Sequence, residues 1–238
     1  MTSFWMTVPP AKSSLINGLR RYLSKPEQDR ADRFALAEDR AAYTAAHALL
    51  RSRLASRVGG EPWSLDIEKD HLGKPHLRGA EQEACHFSLS HTRRQVACVL
   101  SDCPVGIDVE HMDRSVDEAV FDVLSPSERR YLEDLPKSLR ARGFLEIWTM
   151  KEAALKAHGT GLATGLDRFS VSPDRRTLHP ADGSGLPPAK AWAFHFEELG
   201  GSALCCVACL KGGAPDVRPA FSECTPAGLL KTASSGSA

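Results

Sequence analysis

Apolar and polar residues alternate along several short stretches of the chain. In CHFSLSH (85–91), Phe87 and Leu89 alternate with Ser88 and Ser90. In VGIDVE (105–110), Val105, Ile107 and Val109 fall on one face while Gly106, Asp108 and Glu110 fall on the other. A period of two marks a strand, because successive side chains point to opposite faces of the pleat. QVACVL (95–100) reads as a further strand, joined to VGIDVE by the turn SDCP. SLDIEKD (64–70) and GKPHL (73–77) are shorter strand-and-turn segments ahead of them. In the last third, RFSVS, AWAFHFE and SALCCVACL again read as strands, separated by the loop PADGSGLPPAK and by ELGG.

Helical stretches precede each run of strands. PEQDRADRFALAEDRAAYTAAHALLRSRL (26–54) is rich in Ala, Leu, Glu and Arg, with no glycine and no internal proline. Ser24 and Asp39 are candidate N-caps, so the stretch divides into two helices with a break between residues 34 and 40, and VGGEPW ends the second. After VGIDVE the chain turns helical again through SPSERRYLEDL and KSLRARGFLEIWTMKEAALKAH. Helix followed by strands therefore occurs twice. The expected fold class is α+β with two similar halves, residues 1–102 and 103–225, followed by a small, polar, disordered tail over 226–238.

Composition narrows the function classes. The 238 residues carry 30 basic and 30 acidic side chains, so no overall field points to nucleic acid or an anionic membrane, and any anion site is local. The opening MTSFWMTVPPAKSSLINGLRR has neither the basic start nor the apolar core of a secretory signal, which predicts a cytoplasmic protein. Seven irregularly spaced cysteines fit a reducing compartment. The spacing of Cys206 and Cys209 has no second CxxC or HxxxH to complete a zinc site, so ALCCVACL reads as a buried strand.

The candidate chemistry lies in two segments. Asp108 and Glu110, two apart on one strand face, repel unless solvent or a cation intervenes. Mg²⁺ takes one or two such carboxylates and fills its other positions with water and phosphate oxygens. In WTMKEAALK (148–156), Glu152 stands four residues before Lys156, the favoured order for a surface ion pair that stabilises a helix by about 0.2–0.5 kcal/mol. Packed against VGIDVE, the same helix would instead supply Glu152 as a third carboxylate and Lys156, one turn on, as a phosphate contact. Trp148 on this stripe anchors the helix to the core. Lys151 points about a quarter-turn away, toward phosphate or water. The residues alone leave both readings open.

VGIDVE followed by WTMKEAALK resembles the paired signature of the 4′-phosphopantetheinyl transferases, (I/V)GxDxE and (W/F)(S/C/T)xKE(A/S)xxK. GKPHL is similar to that family's GKPxL segment, FSLSHT (87–92) to its FN(I/L)SH(S/T) segment with Ser88 in place of asparagine, and RADRFALAEDR to its basic N-terminal segment. The length and motif order resemble the larger subclass, named for the surfactin system, which activates nonribosomal peptide and polyketide synthases.

The resemblance implies a pseudo-twofold α+β fold with coenzyme A between the halves. It implies transfer of phosphopantetheine to a serine of an acyl or peptidyl carrier protein, with release of 3′,5′-ADP. Carried over by position, Asp108, Glu110 and Glu152 are the expected Mg²⁺ ligands, and Glu152 the expected base. Lys156 is the expected pyrophosphate contact, His91 and Arg30 the expected holders of the ribose 3′-phosphate, and Lys74 and Ser90 the expected lining of the coenzyme A cleft. Lys151, from its place on the helix rather than from the resemblance, is a further candidate contact in that cleft. The two halves would make a monomer self-sufficient, and the segment 120–135 with Arg140 and Arg142 is the candidate carrier surface. A Mg²⁺-dependent phosphohydrolase and a non-catalytic coenzyme A-binding module are the alternative readings.

Overall fold

Each half starts one of its helices with a capping box. In the computed structural model, which describes residues 1–79, 85–114, 124–161, 165–211 and 218–234, Ser24 caps helix α2 (Lys25–Asp32) with Glu27 reaching back to the Ser24 N–H. Proline stands in the first turn, where its missing N–H is not needed. Helix α1 (Ser14–Arg20) precedes it, and the 22-residue α3 (Ala37–Val58) follows after a break over residues 33–36, with Leu36 rather than Asp39 at its N-cap. Asp39 lies inside the first turn, where a negative charge still suits the helix dipole. The second half repeats the device. Ser125 caps α4 (Pro126–Asp134) with Glu128 as its partner, and the 22-residue α5 (Lys137–His158) follows.

The strands repeat as well. In the first half, β1 (Thr2–Thr7) pairs antiparallel with β5 (Gln95–Ser101), and β5 pairs antiparallel with β4 (His86–His91). In the second, β6 (Val105–His111) pairs antiparallel with β10 (Ala203–Leu210), which pairs antiparallel with β9 (Trp192–Leu199). Each half also holds a small hairpin between its long helix and its last two strands, β2 (Ile67–Lys69) with β3 (Pro75–Leu77), and β7 (Phe169–Ser172) with β8 (Thr177–Pro180). The order strand, helices, small hairpin, two strands is thus traversed twice. This is the duplicated α+β architecture that the sequence pattern implies.

Three apolar clusters form the core, one within each half and one between them. One lies between α3 and the first sheet, around Leu49, Phe87 and Leu100. A second lies between α5 and the second sheet, around Phe144, Met150 and Leu204. The third joins the two sheets, with Ala97 and Val99 of β5 meeting Val105, Ile107 and Val109 of β6 and Val207 of β10. The apolar face of VGIDVE is therefore spent on the sheet-to-sheet core, which leaves its other face to α5.

The C-terminal segment departs from the expectation of a disordered tail from residue 226. Residues Pro226–Ser234 form helix α6, and β11 (Ala220–Glu223) adds to the first sheet in parallel with β1. Leu229 is buried in the first core and accepts a hydrogen bond from the Tyr22 hydroxyl at 2.5 Å. The chain end thus returns to the first half, because β1 is otherwise an open sheet edge.

Candidate active site

Gly106 sets the distance between β6 and α5. A Cβ at this position would lie 2.0 Å from the Ala153 carbonyl oxygen and 2.5 Å from the Ala157 nitrogen, so only glycine lets the helix backbone rest on the strand. That contact brings Lys156 to Asp108. The Lys156 ammonium lies 2.7 Å from Asp108 Oδ1 and 3.0 Å from the Ile107 carbonyl oxygen. Its ion pair is with Asp108 and not with Glu152, so the i, i+4 surface pair gives way to a tertiary one.

Asp108 is held from the other half of the molecule too. The Ser90 hydroxyl donates to Asp108 Oδ1 at 3.0 Å and accepts from the Val109 N–H at 3.2 Å. Two residues earlier, Ser88 Oγ accepts from the Ile107 N–H at 3.1 Å. Strands β4 and β6 belong to different sheets, and these two hydroxyls take the place of the missing main-chain acceptors along their seam. Serine where the family pattern has asparagine therefore serves as a direct bridge to β6.

The remaining carboxylates feel Asp108. Burial raises the Glu152 pKa above the ordinary carboxylate value, and the charges of Asp108 and Glu110 add to that rise against the opposing pull of Lys156. Burial and Asp108 likewise raise Glu110, offset in part by Arg114 and a hydrogen bond from Trp148. Arg114 forms an ion pair with Glu110 and lies over the Trp148 ring, 5.6 Å from its centroid. Among the described residues, no three carboxylate, histidine or cysteine side chains converge tightly enough to form a ready metal cluster. The donor chemistry nevertheless suits a hard cation. Asp108 Oδ2 is buried without any hydrogen-bond donor, and a carboxylate oxygen left bare at such a site is what a divalent ion satisfies.

A cavity of about 950 Å³ adjoins this cluster. Its walls come from α2, α3, the β2–β3 hairpin and β4, all in the first half, and it reaches the seam at Ser90 and His91. Arg30, Arg33, Lys69 and Arg93 outnumber Glu27 and Asp39 on its walls and make it basic, with Arg93 paired to Asp39 at 2.7 Å. Arg30 lies 5.7 Å above the Tyr43 ring, which fixes its direction. Although the His91 side chain opens to solvent, the surrounding walls desolvate it, and with the charges of His47 and Lys156 this lowers its pKa. On the cavity wall, His47 Nδ1 stands 2.9 Å from Glu27 Oε1, and Arg51 Nε donates to Glu27 Oε2 at 2.5 Å. Burial alone would raise the Glu27 carboxyl, but His47 and Arg51 bring it down to about 2. Sequence reasoning missed this network, and the S-x-x-E capping pattern of Ser24 and Glu27 was its visible trace.

Lys74 donates to the Ala157 carbonyl at 2.7 Å and its chain crosses Gly159, so from the β2–β3 hairpin it closes the C-terminus of α5. Lys151, expected as a phosphate contact, lies away from both Asp108 and the cavity walls. Its ammonium is 2.8 Å from Glu128 and 2.7 Å from the Leu166 carbonyl, and its side chain is 1 % exposed. Glu128, in turn, accepts from the Val171 N–H. Lys151 thus ties α4, α5 and β7 together inside the second half. The first half has its equivalent. Arg51 and Lys151 each stand fourteen positions after the first residue of their long helix, Ala37 and Lys137, and each meets the capping-box glutamate of the preceding helix.

Of the candidate carrier surface, residues 120–123 lie outside the described residues. Arg140 bonds to the Glu133 and Leu135 carbonyls, and Arg142 pairs with Glu146 and Glu198. No helix among the described residues is long and apolar enough to cross a membrane.

The fold and site define a duplicated α+β enzyme with a carboxylate–lysine cluster at the seam of its halves and a basic cavity beside it. Residues 104–209 match the profile of the 4′-phosphopantetheinyl transferase superfamily, and residues 9–102 match that of the 4′-phosphopantetheinyl transferase N-terminal region. The chain is 32% identical over 195 residues to the 4′-phosphopantetheinyl transferase HetI of Nostoc, an alignment covering 80% of this chain and 79% of that protein. It is 29% identical over 149 residues to a 4′-phosphopantetheinyl transferase of Bacillus subtilis (63% of this chain, 66% of that protein). To the 4′-phosphopantetheinyl transferase Sfp of Bacillus subtilis it is 28% identical over 150 residues (63% and 66%). The chain belongs to the 4′-phosphopantetheinyl transferase family.

Proposed function

We propose that the protein transfers 4′-phosphopantetheine from coenzyme A to a serine hydroxyl of an apo acyl or peptidyl carrier protein. The observation that carries this reading is the Asp108–Lys156–Ser90 cluster at the end of the basic cavity. Arg30 and His91 are the proposed contacts of the ribose 3′-phosphate, with Arg33 supplying further positive charge to the same walls. Lys156 is the proposed contact of the pyrophosphate, and Lys74 borders it from the C-terminus of α5.

In the reaction the carrier serine oxygen attacks the phosphorus on the pantetheine side. The bond from that phosphorus to the bridging oxygen breaks, and 3′,5′-ADP leaves with the electron pair. Glu152 is the proposed acceptor of the serine proton. Its raised pKa makes it a stronger base than an exposed carboxylate. Lys156 offsets the negative charge that accumulates on the leaving phosphate. Asp108, Glu110 and Glu152 are the proposed Mg²⁺ ligands, and a bound Mg²⁺ supplies electrostatic stabilisation of the pyrophosphate oxygens. Ser90 holds the Asp108 carboxylate in place.

Mass spectrometry of an apo carrier protein incubated with the enzyme, coenzyme A and Mg²⁺ tests this. The expected result is a gain of one phosphopantetheine, lost in Asp108→Ala and Glu152→Ala. Unchanged carrier mass across several apo carriers, with 3′,5′-ADP released from coenzyme A alone, would establish a hydrolase instead.

A further inference from the structure

Among the seven cysteines, two stand apart from the rest. Cys103 lies in the turn between β5 and β6, the link between the halves, and is only partly buried. Cys209 is near the end of β10, paired in register with Val105. Their sulfurs are 2.7 Å apart, within about 0.7 Å of a disulfide bond length. The backbones are fastened beside them, since the Leu210 N–H donates to the Pro104 carbonyl at 2.9 Å. On the other side, Ser101 Oγ lies 3.2 Å from Cys103 Sγ and accepts from the Cys103 N–H. Neither segment must move far for the sulfurs to bond.

We propose that Cys103 and Cys209 form a reversible disulfide by exchange with a low-molecular-weight disulfide. The roles follow from accessibility. Cys205 and Cys206 are fully buried on the same strand, and burial pushes both thiols well up. Cys98 is buried on β5 and is raised by burial too. Cys103 is open to a small reagent and serves as the attacking thiolate. It displaces one thiolate from the reagent and holds the other half as a mixed disulfide. Cys209, raised by burial and by its contact with Cys103 to about 12, is the slower partner. Lys211 and the N-terminal amine favour its ionisation. It gives up its proton to solvent, attacks the Cys103 sulfur and expels the second thiolate. The two protein thiols lose two protons and two electrons, and the reagent is reduced to two thiols. The bond closes the loop from 103 to 209, which contains the whole β6–α5 site, and constrains the unfolded chain accordingly. It does not depend on the transfer reaction.

The test uses the full chain, reduced and then incubated with oxidised glutathione, followed by alkylation and peptide mapping. The expected product is a Cys103–Cys209 linked peptide with no retained glutathione, and a melting temperature several degrees higher that dithiothreitol reverses. Cys209→Ala is expected to trap glutathione on Cys103, and Cys103→Ser to abolish both the link and the melting shift. The wild-type chain alone suffices to overturn the proposal. Glutathione remaining on Cys103, a link to any other cysteine, or no link at all would do so.

Discussion

The Lys156 ammonium sits 2.7 Å from Asp108 Oδ1, reaching from α5 across to β6 instead of back along its own helix to Glu152. The side chain of Asp108 is 8 % exposed and that of Lys156 is 30 % exposed, so the charge pair is largely withdrawn from water. Lys156→Ala should leave Asp108 buried without its counter-ion. The expected outcome is destabilisation of about 2 kcal/mol in urea and a KM for coenzyme A raised at least about tenfold. Wild-type affinity in calorimetry would remove Lys156 from the ligand contacts.

Lys151 gives the opposite expectation. Because its partner Glu128 is fully buried, Lys151→Met should cost about 3–5 kcal/mol through the stranded carboxylate. The double variant Lys151→Met with Glu128→Leu should recover most of that loss and bind coenzyme A as the wild type does. Loss of coenzyme A binding in a well-folded double variant would return Lys151 to the ligand site.

Gly106→Ala should be worse than its size implies. The new methyl would meet the Ala153 carbonyl at 2.0 Å, and that oxygen belongs to a helix backbone that cannot rotate away. A loss of at least about 3 kcal/mol and of carrier modification is expected, measured by denaturant unfolding and by mass spectrometry.

Two glutamates should respond to pH with opposite signs. Glu27, lowered from 4.5 to about 2, contributes stability that is present above the ordinary value and lost as pH falls toward 2. The contribution is about 3 kcal/mol and should vanish in Glu27→Gln, flattening the acid limb of the unfolding midpoint. Glu152 is raised, so its ionisation weakens the fold as pH climbs through the carboxylate range. Glu152→Gln should therefore be more stable than wild type near neutral pH, indistinguishable from it below pH ~4, and inactive in transfer. Equal stability of the two proteins at neutral pH would remove the repulsion assigned to Glu152.

Local pattern made central elements of both halves legible. Alternation in VGIDVE fixed which residues face the core, and the alanine- and arginine-rich run forms two helices as expected, with the break over 33–36 and Leu36 rather than Asp39 as the second cap. The first strand, Thr2–Thr7, and the C-terminal β11 and α6 escaped notice. Their sequences carry little periodicity, and their order comes from pairing with each other and with β5. Strand and helix periods put Asp108 with Glu110, and Glu152 with Lys156, on common faces, but only the resemblance to the family's paired motifs singled them out as one site.

What the sequence determined by itself was therefore the central elements of each half, their duplicated order, and the identity of the chemical groups. Only the tertiary structure decided which groups meet. Lys156 and Lys151 sit on the same helix, five residues apart. Packing on Gly106 delivers one to Asp108, while burial against α4 gives the other to Glu128. A charged side chain's role depends on which partner satisfies it once water is removed, and that partner lies far away along the chain.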